Sequence, residues 1–77
     1  MFVKELAETK VRQIVINGEP RDIPGGLTVL TLLTYLGIGT DRVAVELNRE
    51  IVRQARWAET PVDAGAQVEI VQFVGGG

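Results

Sequence analysis

Apolar and polar positions alternate in two short runs on either side of Asn17-Gly18, in the stretch "VRQIVINGEPRDI". Alternation is the signature of a strand with one face buried. Asn-Gly suits the tight turn between two antiparallel strands, because both residues tolerate the positive φ it requires. Ile14 and Ile16 fall on one face of the first strand and Val15 on the other. The second run contains Pro20 and stops at Pro24. Proline cannot donate to a ladder, so this strand belongs at a sheet edge. After Gly25-Gly26 the period changes. Val29, Leu32, Leu33 and Leu36 recur at i, i+3, i+4 and i+7, one stripe of a two-turn helix. Thr28 is placed to cap its start and Gly37 to end it. The residue three after Thr28 is Thr31, so no capping box is expected.

Alternation returns in "RVAVELNREIV", read as a strand, a tight turn at Asn48-Arg49 and a second short strand, with Val43, Val45 and Leu47 inward. The stretch "RQARWAETPVDAGA" has no clear period and reads as irregular, with Trp57 covering one end of the core and a turn at residues 63–65. The last strand is "QVEIVQFV". Its Val68 and Ile70 are expected to face the helix, and Glu69, Val71 and Phe73 the opposite side. Val15 points the same way. Val15, Val71, Phe73 and the adjoining Val74 are therefore expected to form a partner-binding patch, although isolated surface apolar residues are also ordinary. Residues 1–10 read as an arm. Phe2 and Leu6, and Val3 and Ala7, are one helical turn apart, but an isolated helix this short is marginal in water. The expected division is an arm at 1–10, a domain at 11–74 and a glycine tail at 75–77.

One helix cannot cover both faces of a sheet. The economical arrangement is two layers, a mixed sheet of four to five strands packed on one main helix. With the first and last strands adjacent and parallel at the centre, this is an α+β fold of the ubiquitin-like β-grasp type.

Composition narrows the function by exclusion. The 77 residues fit one domain, and a domain this small is marginally stable. The longest largely apolar stretch, "LTVLTLLTYLGIG", falls short of the about 20 residues a membrane helix needs. "MFVKELAETK" carries two acids and no apolar run, which argues against a signal peptide. A net charge of −2 provides no footprint for nucleic acid or an anionic membrane. Cys, His and Ser are all absent from the sequence. Disulfides, thiolate metal sites, Ser–His triads and histidine acid–base chemistry are thereby excluded, and a cytoplasmic location is expected. Asp41, Glu46, Glu50 and Glu59 are interspersed with Arg42, Arg49, Arg53 and Arg56, which reads as solvated ion pairs rather than an active site. Gly25-Gly26 lacks the spacing of a phosphate loop. The expectation is a protein without catalytic side chains, bound metal or bound cofactor.

The glycines that follow the last strand then stand out. They suit either an inert end or a working one. A terminal carboxylate is a poor acyl donor until it is adenylated. A terminal Gly77 places no Cβ beside the reacting carbon, and Gly75 and Gly76 allow a thin tail to thread a narrow site. Ordering them there costs about 1–2 kcal/mol per residue, which docking of the folded body can offset.

The combination of Val43 to Leu47, Asn48, Glu50 to Val52, Trp57, Glu69-Ile70, Phe73 and Gly76-Gly77 resembles the sulfur carriers of thiamin biosynthesis, the ThiS family. The likeness extends over residues 11–77. The diglycine alone is weakly specific; "QFVGGG" after "VEI" is much more so. The turn "DAGAQ" lacks the second acid common in the family, and the arm looks additional. The resemblance implies that a ThiF-type adenylyltransferase uses ATP to activate the Gly77 carboxylate. A persulfide sulfur donor then supplies the sulfur of a thiocarboxylate, and a ThiG-type thiazole synthase takes it into the thiazole ring. Two alternatives stay open: a carrier like the small subunit of molybdopterin synthase, and a ubiquitin-like module with no covalent chemistry.

Overall fold

The structure is a computed structural model, described here for residues 10–73. Five strands form one mixed sheet: β1 (Val11–Ile16), β2 (Glu19–Pro24), β3 (Val43–Leu47), β4 (Glu50–Val52) and β5 (Gln67–Gln72). Their spatial order is β2-β1-β5-β3-β4. β1 and β5 run parallel, and the other neighbours are antiparallel. One helix, α1 (Val29–Tyr35), packs across the sheet, which is the expected β-grasp arrangement.

The turns follow from their residues. Asn17 and Gly18 sit at φ of 50° and 84°, and Asn48 and Arg49 at 52° and 73°. Both hairpins thus use two consecutive left-handed residues, the geometry that matches strand twist. β2 lies at the edge, where Pro20 and Pro24 pair with Val15 and Val11.

α1 ends as its sequence indicates. Gly37 adopts a φ of 75°. Its amide donates to Thr34 O at 3.0 Å, and Ile38 N to Leu33 O at 2.9 Å, the paired bonds of a Schellman motif. The helix start departs from expectation. A capping box does form: Thr31 N donates to Thr28 Oγ1 at 3.2 Å, and Thr28 N donates to Thr31 Oγ1 at 2.7 Å. The threonine hydroxyl supplies the acceptor for which a Glu or Gln is usually sought.

The segment after β4 is also more regular than its pattern suggests. Gln54–Glu59 forms a 3₁₀ helix, and Thr28 and Pro61 make an isolated bridge. Trp57, 2% exposed, closes one end of the core. Its indole Nε1 donates to Val52 O at 2.8 Å, so its polar edge is satisfied as it is buried. The core joins Ile14, Ile16, Ile23, Val45, Val68 and Ile70 from one sheet face to Val29, Leu32 and Leu33 from α1. No charged or polar residue is buried among the described residues.

Candidate functional site

The candidate site is the end of the central strand. β5 leads to residues 74–77, so Val74, Gly75, Gly76 and Gly77 lie outside the described residues, as do residues 1–9 of the arm expected at 1–10. What can be followed is how β5 is held up to Phe73.

Its start is held by the β3–β4 turn. Asn48 N donates to Gln67 O at 2.7 Å, and Gln67 N donates to Asn48 Oδ1 at 2.9 Å. On the other flank, Asn17 N donates to Val68 O at 2.8 Å. The Asn17 carboxamide then spans Ile70. Ile70 N donates to Oδ1 at 2.7 Å, and Nδ2 donates to Ile70 O at 3.2 Å. Farther on, Phe73 N donates to Arg42 O at 2.8 Å, with Arg42 in the left-handed region at a φ of 59°. Sequence reasoning recognised both asparagines only as turn residues. Their side chains are also clamps on the strand that carries the tail.

Val68 and Ile70 face the helix, while Val71 and Phe73 project from the uncovered face, 50% and 57% exposed. The register corrects one expectation. Val15 shares that face but stands beside Gln67, four residues before Val71. At 3.3 Å per residue the separation along the strand is about 13 Å. β1 overlaps only the beginning of β5, so Val15 does not join Val71 and Phe73. The neighbour of Val71 is Ala44 on β3. An unforeseen contributor to the same face is Ile51, 74% exposed on β4 opposite Glu46. The alternation in "EIV" was too short to show it. Glu46 and Glu69 also meet directly across β3 and β5 on this face.

No group of His, Cys, Asp or Glu among the described residues could hold a metal ion. An open hollow of about 380 Å³ lies against edge strand β4, between Ile51, Arg53 and Arg56. Arg56 pairs there with Glu59 at 2.5 Å, with both side chains largely exposed, an interaction of little energetic weight. No helix among the described residues is long and apolar enough to cross a membrane.

The sequence model of the ThiS family matches residues 14–77. The chain belongs to the ThiS family. That family comprises sulfur carriers of thiamin biosynthesis. The chain is 32% identical over 65 residues to the sulfur carrier protein ThiS of Escherichia coli, covering 84% of this chain and 98% of that one. The crystal structure of the thiamine biosynthesis protein ThiS from Geobacter metallireducens superposes with a TM-score of 0.72 at 35% identity, covering 84% of this chain and 99% of that one. The chain is also 46% identical over 65 residues to a thiazole synthase of Paramagnetospirillum magneticum. It spans only 20% of the length of that thiazole synthase, and 20% of a second from Magnetococcus marinus. The likeness therefore concerns one portion of those longer proteins.

Proposed function

We propose that the Gly77 carboxyl group is the sulfur-carrying group, with the β-grasp body acting as its docking handle. The observation that carries this reading is the family match running through Gly77, directly after a central strand held on both flanks. A ThiF-type adenylyltransferase joins the carboxylate to AMP from ATP and releases pyrophosphate. The terminal sulfur of a protein persulfide attacks the acyl carbon, and AMP leaves. A thiol then reduces the resulting acyl disulfide and frees the thiocarboxylate. A ThiG-type thiazole synthase takes the sulfur into the thiazole ring, and the likeness to part of two thiazole synthases supports that acceptor. The chain contributes the acyl carbon and its docking surfaces; ATP is the adenylyltransferase's substrate.

The test is intact-mass measurement after incubation with ATP, the adenylyltransferase and the persulfide donor. The expected result is exchange of one oxygen for sulfur, mapped to Gly77. An unchanged mass, or the same shift in a variant lacking Gly77, would overturn the assignment. Val71 and Phe73 are the proposed partner contacts, with the docked tail residues Val74, Gly75 and Gly76 following them. Phe73→Asp should weaken adenylyltransferase binding at least tenfold, about 1.4 kcal/mol, while the far-ultraviolet circular dichroism stays unchanged. Undiminished binding would remove Phe73 from the interface.

A further inference from the structure

We infer that Asn17 is a positioning residue, whose side chain fixes the direction in which the tail leaves the sheet. The inference rests on the tail chemistry proposed above and adds a residue that the reading does not require.

The two flanks of β5 are unequal. On the β3 side, pairing continues to Gln72 and is extended by the bond from Phe73 N to Arg42 O. On the β1 side, strand pairing stops at Ile16 opposite Val68. β1 then turns away at Asn17-Gly18. Along β5 the backbone groups alternate sides. Val68 O faces β1 and Phe73 N faces β3. The next backbone group facing β1 is that of Ile70, which a continuing β1 would have paired. The Asn17 carboxamide takes this place, accepting from Ile70 N and donating to Ile70 O at 2.7 and 3.2 Å. It imitates a strand residue with a side chain and carries the two-sided hold two residues farther along β5.

The position is a pivot. Threaded in extended form into a narrow site, residues 71–77 span about 23 Å, so a rotation of about 5° at Ile70 moves the end by about 2 Å. Misplacement of a reacting group by about 1 Å can lower a rate by about 100-fold. The docking contacts Val71 and Phe73 lie close to the pivot, and the same rotation moves them by only about 0.3 and 0.9 Å. Loss of the anchor should therefore lower turnover and leave partner affinity unchanged.

Asn17→Gly separates the anchor from the turn, because glycine adopts the φ of 50° found at Asn17 without strain. Asn48→Gly is the control. It removes the other side-chain clamp on β5, at Gln67, from a residue at a φ of 52°. With the adenylyltransferase, Asn17→Gly is expected to lower kcat for acyl-adenylate formation about tenfold, with KM within about twofold. Asn48→Gly is expected to keep kcat near that of the unmodified sequence. Hydrogen exchange at the Phe73 amide should accelerate in Asn17→Gly and not in Asn48→Gly. Asn17→Asp keeps the turn preference and the acceptor for Ile70 N, loses the donor to Ile70 O, and should fall between; it decides the question if Asn17→Gly does not fold. An unchanged kcat, or equal losses at positions 17 and 48, overturns the inference. If the unmodified chain accepts no AMP, the proposed function fails. The Phe73 exchange comparison then still tests the anchor.

Discussion

At the scale of single residues, the helix start shows what a hydroxyl can replace. Thr28 and Thr31 satisfy each other's backbone amides at the start of α1. Thr31→Val keeps the shape and removes the acceptor for Thr28 N. It should lower stability by about 0.5–1 kcal/mol, seen as a lower denaturant midpoint with an unchanged slope. The cap at Thr28 was legible in the sequence because its evidence is local: a threonine just before an apolar stripe. The box was not, because its usual acceptor is a longer side chain. The asparagines mark another limit of local reading. Asn17 and Asn48 announce their turns through the residues beside them. The bonds from Asn17 to Ile70 join positions 53 apart in sequence, and no neighbouring residue signals them. Trp57 lies between these cases. Its bulk in a polar stretch marks it as a core residue, while its bond to Val52 O depends on the path of the 3₁₀ helix.

At the scale of elements, period assigns faces, and register assigns neighbours. Alternation was sufficient to send Ile14, Ile16, Val68 and Ile70 inward and to place β2 at an edge through its prolines. It also placed Val15 and Val71 on one face correctly. It was silent about how far β1 slides along β5, and that offset separates them. Register also sets Glu46 opposite Glu69. Like charges directly across a ladder are destabilising. Glu69→Thr should therefore raise stability by about 0.2–1 kcal/mol, a substitution that also favours the strand. Salt screens such a repulsion. The unmodified protein should accordingly gain more in thermal midpoint from added salt than the variant does. Equal gains would show that the two carboxylates avoid each other by side-chain rotation.

At the scale of the whole molecule, the proposed function puts stability and chemistry on different parts of the chain. Among the described residues, the twelve buried apolar ones lie between Ile14 and Ile70, whereas the proposed reacting group is Gly77. This division follows from the physics of a small domain. A core of this size leaves little margin, and a strained or polar reactive centre inside it would consume that margin. Placing the proposed reactive carbon beyond the last strand is compatible with the wholly apolar core of the described residues. Two variants should then behave in opposite ways. Leu32→Ala empties part of the helix–sheet contact and should cost about 2–5 kcal/mol, a large share of the about 5–15 kcal/mol typical of a domain. Thermal midpoint and sulfur loading should fall together, because the docking face is lost with the fold. Removal of Gly76-Gly77 should leave the midpoint unchanged and abolish the oxygen-to-sulfur mass shift. A clear fall in midpoint on removing the glycines would mean that they pack on the body, and the separation of handle from working end would have to be abandoned.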